Sequence, residues 1–187
     1  MGISFKKAAL AAVATAALVL ASVGTSLAGV ITTSTGISGG ALTLTSPGSA
    51  SLSATLTGAD QVATGSLGKS TVKDATGSGA GWNVQISGTQ FTTGGATPRT
   101  LPTTALGITG MTANSVAGRA PTNSVSYGTG IVVPLGSSVT PVKIYNAAAD
   151  SGMGTFDLTP NVALTVTADT YAGNYASNLT ISVVAGP

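Results

Sequence analysis

The chain has 187 residues, of which 43% are apolar and only 6% are charged, and it contains neither Cys nor His. A zinc site built on Cys or His is therefore impossible, as is a Ser-His-Asp or Cys-His catalytic centre. Two of the seven basic residues, Lys6 and Lys7, lie near the N-terminus, and without them the basic residues only balance the five aspartates. Nucleic-acid binding needs a basic patch, so we expect no nucleic-acid partner.

Residues 1–28 have the pattern of a cleavable signal peptide. Met1–Lys7 is positively charged, Ala8–Val23 is apolar and uncharged, and Ser26-Leu27-Ala28 places small residues where a signal peptidase reads them. The apolar run is shorter than the roughly 17 residues that a membrane-spanning helix needs, which favours cleavage over a retained anchor. We therefore expect an exported protein, cut before Gly29, in which residues 29–187 form a single β-sandwich domain.

The rest of the chain shows the alternation of apolar with small or polar residues that is typical of strands with one buried face. The segments that alternate are 41–45, 51–57, 82–87, 162–167 and 179–183. Thr and Val, which are β-branched, are abundant, and Gly and Pro recur at short intervals. The pattern predicts an all-β fold, an antiparallel β-sandwich that is Ig-like. Trp82 alternates in phase with Val84 and Ile86, which predicts a core position.

The segment from Phe91 to Ser124 is different. It contains Gly94-Gly95 and three prolines and has only weak apolar patterning. We expect long irregular connections there, with no more than one short strand.

A glycine-rich stretch joins Lys73-Asp74 to Trp82-Asn83-Val84. Glycines allow a tight reversal of the chain, so we interpret the stretch as the turn of a hairpin. Its glycine spacing superficially resembles a phosphate-binding loop. Such a loop is followed by a helix, however, whereas the residues after Gly81 alternate like a strand, which excludes a nucleotide site.

Asp74-x-x-Gly77-x-Gly79-x-Gly81-Trp82-x-Val84 resembles the first signature of the WxL domain, a secreted surface domain of Gram-positive bacteria. The C-terminal part resembles the second half of that family, in Tyr171, Gly173, Tyr175, Leu179, Ile181 and Val183. The resemblance covers residues 72–187. Val84 stands where the first signature has Leu, and Ile181-Ser182-Val183 contains no Trp.

This resemblance implies a role without catalysis. WxL domains are associated with non-covalent attachment to the cell wall, so the implied partner is peptidoglycan or another cell-wall glycan, and no cofactor or metal is implied. Other surface proteins or further copies of the chain are alternative partners. The signature residues themselves could serve the fold alone. In particular, a Tyr before a last strand often packs its ring while its hydroxyl bonds a nearby loop.

Two other features bear on function. Leu101-Pro102-Thr103-Thr104-Ala105 imitates a sortase sorting signal in the middle of the chain, without the apolar span and basic tail that would follow a real one. We expect any wall attachment to be non-covalent for that reason. The aspartates are scattered and each lies near a predicted turn or strand end, which suits turn capping and not the paired carboxylates of glycoside hydrolysis. We expect a protein that is not an enzyme.

An alternative role belongs to a different class. Val30–Thr35 is an extended, Thr-rich segment near the expected new N-terminus. Such a segment could complete the sheet of a neighbouring molecule, which would make the protein a structural subunit of a surface filament or coat.

Overall fold

The structure is a computed structural model that describes residues 31–187, so the predicted signal peptide lies outside the described residues. Residues 37–187 form one compact unit. Residues 31–36 do not belong to this unit. They have no regular secondary structure and are exposed.

Between Ile31 and Pro187 the chain forms nine β-strands and no helix, which confirms the all-β prediction. The strands in chain order are β1 (Leu42–Thr45), β2 (Gln61–Ser66), β3 (Ser70–Asp74), β4 (Trp82–Gly88), β5 (Leu106–Gly118), β6 (Ile131–Val132), β7 (Val142–Ala147), β8 (Gly154–Val166) and β9 (Leu179–Ala185). All pairs between these strands are antiparallel. Within the described part of the chain there is accordingly no helix that is long and apolar enough to cross a membrane.

The larger sheet is organised around β8. Along one edge of β8, residues 154–158 pair with β3 and residues 161–166 pair with β2. Along the other edge, β5 pairs with β8 over nearly its whole length. β1 continues the sheet beyond β3, and β6 continues it beyond β5. The 13 residues of β8 thus connect all the strands of this sheet directly or through one neighbour.

The expectation of irregular chain between Phe91 and Ser124 is wrong, because this segment contains β5, one of the two longest strands. Leu106 and Ile108 are fully buried, whereas residues 112–118 are exposed. An exposed half-strand carries no apolar alternation, so periodicity does not reveal it. Pairing with β8 holds it in place, and the prolines of the segment flank the strand instead of interrupting it.

The smaller sheet consists of β7, β4 and β9, with β4 in the middle. β3 belongs to the larger sheet, so the predicted hairpin between β3 and β4 is wrong, and residues 75–81 connect the two sheets. The reason is burial. Val72 on β3 and Trp82 on β4 are both fully buried, and placing their strands in opposite sheets lets each side chain face the common core.

The predicted strand at residues 51–57 is also absent. Leu52 instead packs over Gly65 of β2, so closely that a Cβ on that glycine would collide with it. Residues 51–57 are therefore a loop whose one anchoring side chain, Leu52, packs against the core.

The core lies between the sheets, as the sandwich prediction requires. Its largest fully buried side chain is Trp82 from the smaller sheet, followed by Phe156 from the larger one. Their ring centroids are 6.1 Å apart, so the two sheets contact each other directly through these rings. The antiparallel β-sandwich is confirmed.

Candidate functional site

The first signature begins where β3 ends. The Asp74 carboxylate accepts hydrogen bonds from the backbone N–H and the hydroxyl of Thr76, at 2.9 and 2.7 Å. Gly77, Gly79 and Gly81 follow with φ angles of 66°, 66° and 74°, a region that residues with a Cβ adopt only at a cost. These four signature residues determine the path of the chain from one sheet to the other.

Trp82 follows Gly81 directly and lies in the core. Its exposed fraction is 0%, and its indole N–H donates to the carbonyl oxygen of Gly152 over 2.8 Å. The Tyr145 ring is stacked on the indole, with a centroid distance of 5.9 Å and an interplanar angle of 30°. The predicted core position of Trp82 is confirmed, and the indole has no face open to a ligand.

The second signature is brought next to the first. Val84 lies opposite Val183, and Ile86 lies opposite Ile181, because β4 and β9 are antiparallel neighbours. Ile181 and Val183 are half-buried and pack against the core. The signature residues of these two strands therefore form one continuous piece of sheet.

Tyr171, Gly173 and Tyr175 are not part of that group. They precede β9, whose first residue Leu179 lies opposite Gly88, at the end of β4 that is farthest from Trp82. The Tyr175 ring packs against the core and its hydroxyl donates to the Tyr171 carbonyl oxygen over 2.9 Å. Tyr175 therefore has the structural role expected of a Tyr before a last strand, with its ring packed and its hydroxyl bonded to a nearby loop.

Tyr171 differs from Tyr175 in exposure. Its side chain is 58% exposed, and the Arg99 guanidinium carbon lies 3.8 Å from its ring centre. This is a cation–π contact. Sequence reasoning missed Arg99, because its partner lies far along the chain and no local motif links the two. The sequence offered one indirect indication: with so few aromatic residues, each ring was expected to make a specific contact in the fold.

Two surface clefts flank the loop of residues 46–57. The first, which we call the tyrosine cleft, has a volume of about 460 Å³. Its lining includes Ser53, Thr55, Thr170, Tyr171, Asn174 and Tyr175. The second, which we call the β9 cleft, has a volume of about 440 Å³, and its lining includes Leu52, Phe91, Leu179 and Ile181. Both volumes lie within the range of small-ligand sites.

Both clefts combine polar side chains with an apolar base. In the tyrosine cleft, the Ser53 and Thr55 hydroxyls and the Asn174 amide are exposed and make no hydrogen bond to any residue that the structure describes. They are free to bond a ligand. The β9 cleft reaches down to Leu106 and Leu164 of the larger sheet, and Leu164 lines the base of the tyrosine cleft as well.

Four of the five aspartates use their carboxylates to accept hydrogen bonds from the protein, whereas Asp150 is bonded through its backbone N–H, which donates to the Gly79 carbonyl oxygen over 2.8 Å. The Asp60 carboxylate accepts from the Ala168 N–H over 2.9 Å, and Asp169 accepts from the Thr167 hydroxyl over 2.6 Å, as expected of turn-capping residues. Asp157 is an exception to the prediction, since it lies inside β8 and not at a strand end. No group of three or more His, Cys, Asp or Glu residues that could bind a metal occurs among residues 31–187.

Asp157 has two partners on the outer surface of the larger sheet. It forms an ion pair with Lys69, with 2.9 Å between Nζ and the carboxylate, and accepts from the Thr71 hydroxyl over 2.7 Å. The hydrogen bond from Lys69 lowers the pKa of the Asp157 carboxyl below its usual value, and the bond from Thr71 adds to this effect.

The sequence that imitates a sorting signal is anchored in the core at both ends, by Leu101 and Ala105, while residues 102–104 are exposed. Leu101 is 2% exposed, and its N–H bonds the Phe91 carbonyl oxygen over 3.1 Å. The Ala105 N–H closes a turn onto the Pro102 carbonyl oxygen over 3.0 Å. An enzyme could not reach this leucine without unfolding the domain.

The fold and the clefts define a low-charge, all-β sandwich domain with two surface clefts at one end. A family model described as "WxL domain surface cell wall-binding" matches residues 40–187. The chain belongs to the WxL family, which confirms the resemblance seen in its motifs, and it is a cell-surface protein associated with the cell wall. Comparison with curated proteins and comparison with solved structures gave no match.

Proposed function

We propose that this protein is exported, binds peptidoglycan non-covalently without catalysing a reaction, and holds the glycan in the tyrosine cleft. The observation that carries the proposal is the match to a wall-binding family over residues 40–187. The cleft is assigned by elimination and by chemistry. Trp82, the aromatic residue that names the first signature, is fully buried and cannot contact a glycan.

Tyr171 is the aromatic surface of this proposed site. A sugar ring binds by laying its apolar C–H face against an exposed aromatic ring. Tyr171 is 58% exposed and lines the cleft. Because Arg99 lies over one face of its ring, the proposed sugar contact uses the other face. The Tyr175 hydroxyl donates a hydrogen bond to the Tyr171 carbonyl oxygen, so the backbone of Tyr171 is held in a defined position before any ligand binds.

The polar groups of the cleft suit an uncharged polymer. The hydroxyls of Ser53 and Thr55 can donate to and accept from sugar hydroxyls, and the Asn174 amide can bond an N-acetyl group. Arg99 adds the one charge at this position, and its side chain makes no hydrogen bond to a described residue. It can pair with a carboxylate on the peptide part of peptidoglycan.

The absence of catalysis is supported by the use of the aspartates. Asp60, Asp74, Asp157 and Asp169 each accept hydrogen bonds from the protein itself. None of them lines either cleft. Hydrolysis of a glycan would require a pair of carboxyl groups beside the scissile bond.

Sedimentation with purified peptidoglycan tests the proposal. The secreted protein should sediment with the wall polymer, and denaturant should release it intact, with no soluble glycan fragments formed. Tyr171→Ala and Asn174→Ala should each reduce the retained fraction several-fold, because a stacking surface and an amide contact are each expected to contribute about 1 kcal/mol or more.

Val116→Ala is the matched control. Val116 is 60% exposed on β5 and lines neither cleft, so its truncation should leave retention unchanged. If the wild-type protein is not retained above an unrelated secreted protein, the proposal of peptidoglycan binding is wrong. If it is retained but Tyr171→Ala behaves like the control, the polymer is bound elsewhere on the surface.

A further inference from the structure

The two edge strands of the smaller sheet, β7 and β9, differ in whether their outer edge is covered. The edge at β7 is covered, since the Tyr127 hydroxyl donates to the Ile144 carbonyl oxygen over 2.6 Å and the Ser124 N–H donates to the Asn146 side chain over 2.9 Å. β9 pairs with β4 on one side. β1 of the larger sheet lies close to β9 without pairing with it, and no strand among the described residues pairs with the other side of β9.

β9 also lacks the features that protect an exposed edge. Protein edges that must not pair usually carry Lys, Pro or another charge, or are very short. β9 has seven residues, Leu-Thr-Ile-Ser-Val-Val-Ala, with no charge and no proline. Val184 is 43% exposed, and the β9 cleft with its apolar floor opens beside Leu179 and Ile181. The edge and the cleft together can receive one more strand.

The chain contains a segment with the matching properties. Residues 31–38 have no regular secondary structure, are exposed throughout and contain no charge and no proline. Ile31 and Ile37 are 87% and 92% exposed, more than any other large apolar side chain in the described residues. They are six positions apart, so in an extended strand both would point to the same face.

We propose that residues 31–38 of one molecule pair with the open edge of β9 in a second copy, with Ile31 and Ile37 directed towards the β9 cleft. Eight residues span about 26 Å when extended, which matches the roughly 23 Å of a seven-residue strand. Because neither partner is charged, no repulsion opposes the contact between identical chains.

This contact would be directional. The base of the segment is fixed on its own molecule, where the Gly40 N–H bonds the Ala75 carbonyl oxygen over 2.7 Å, next to the start of β1. Each molecule then offers one donor segment and one acceptor edge. Head-to-tail contacts of this kind produce open chains of subunits unless the rotation closes a ring. The inference concerns assembly and does not depend on glycan binding.

Light scattering coupled to size-exclusion chromatography of the secreted protein tests this proposal, after mass spectrometry has established that residues 31–38 are present. We expect oligomers whose size grows with protein concentration. The double variant Ile31→Asp/Ile37→Asp should weaken association at least tenfold, because it removes both apolar anchors and places charge on the strand. Val116→Asp, at an exposed position on β5, should associate like the wild type.

Cysteine cross-linking locates the contact, and the chain has no natural cysteine to interfere. Ser34 lies on the face opposite Ile31 and Ile37, as Ser182 lies on the face opposite Leu179 and Ile181, so the two would be on the same side of the joined sheet. A Ser34→Cys molecule mixed with a Ser182→Cys molecule should form a disulfide-linked dimer when oxidised glutathione is added. A mixture of Ser34→Cys with Asn114→Cys, which is exposed on β5, should not.

Two outcomes overturn the proposal. One is a monomer at every concentration with no cross-link above the Asn114→Cys control. The other is a Ser34→Cys/Ser182→Cys double variant that forms its disulfide within a single chain, which would mean that the segment completes its own sheet. Peptidoglycan retention of the Ile31→Asp/Ile37→Asp variant is measured in parallel, so loss of assembly and loss of wall binding are distinguished.

Discussion

The indole N–H of Trp82 donates a hydrogen bond to the carbonyl oxygen of Gly152 over 2.8 Å, across a separation of 70 residues in the chain. The bond joins the first residue of β4 to the turn that precedes β8. Gly152 has a φ of 71°, and a Cβ on it would lie 2.8 Å from the indole nitrogen and would collide with the Ala147 side chain. The site around the only tryptophan therefore requires a glycine.

Gly152→Ala should destabilise the domain strongly. The substitution combines an unfavourable backbone conformation with overpacking against a buried ring, and we expect a loss of about 3 kcal/mol in the free energy of unfolding. Urea denaturation followed by Trp82 fluorescence measures it. Gly128→Ala is the control, since a Cβ at Gly128 meets no atom within 4 Å. A Gly152→Ala variant as stable as the Gly128→Ala variant would contradict the packing described here.

Trp82→Phe should separate the structural role of the signature from wall binding. The smaller ring leaves a cavity and removes the hydrogen bond to Gly152, so we expect a loss of about 2 kcal/mol in the free energy of unfolding. Peptidoglycan retention of the folded fraction should stay unchanged, because the indole is not accessible. Peptidoglycan retention should be measured at a temperature at which both the wild type and Trp82→Phe are folded. If the folded variant binds less peptidoglycan than the wild type, Trp82 contributes to wall binding directly.

Stability should fall in alkali because of Tyr127. Burial raises the pKa of the Tyr127 phenol to about 12, whereas the ordinary value is 10.0, and its hydroxyl donates to Ile144. The folded state thus favours the neutral phenol. This contribution is complete below pH 10 and is lost as the pH rises towards 12. Burial raises the pKa of Tyr145 in the same direction.

The expected alkaline loss attributable to Tyr127 is of order 1 kcal/mol, after allowance for its partial exposure to solvent. Tyr127→Phe should lose about 1 kcal/mol at neutral pH through the missing hydrogen bond and should show a smaller decrease above pH 10. Urea denaturation across this pH range provides the comparison. Equal pH dependence in the variant and the wild type would show that Tyr127 is not responsible.

Asp157 should contribute to stability in the opposite pH direction. Lys69 and Thr71 lower the pKa of its carboxyl, so the folded state favours the carboxylate. The contribution is present above the usual Asp pKa, about pH 4, and is lost as the pH falls further. Asp157→Asn should flatten the acid limb of the stability profile, and Lys69→Gln should flatten it in part. Acid denaturation curves of the three proteins measure this effect, which should weaken at high salt because Lys69 is 63% exposed.

Much of the fold was predictable from local patterns. The strands β1, β4 and β9 each carry apolar alternation that faces the core, so their positions follow from the sequence. The same pattern at residues 162–167 predicts only the last part of β8, which begins at Gly154. Trp82 could be assigned to the core for the same reason, since it shares a face with Val84 and Ile86. The family resemblance rested on the glycines before Trp82, whose spacing survives even though the second tryptophan is missing.

The tyrosine cleft could not be predicted in this way. Its lining comes from two separate stretches, the loop at residues 53–56 and the turn at residues 170–175, together with core residues between them. Arg99 reaches Tyr171 from a third stretch. None of these neighbours is close in sequence, and no period or spacing encodes their proximity.

The amino-acid sequence by itself determined the class of fold, the low charge, the core position of the indole and the family, because each depends on residue types and on spacings of a few positions. Only the tertiary structure decided that the glycine segment connects two sheets, that residues 106–118 form a long strand, and which edge of the smaller sheet stays open. Those features depend on which strand finds which neighbour. Strand pairing is a competition between distant segments for hydrogen bonds and buried area, and local composition does not report its outcome.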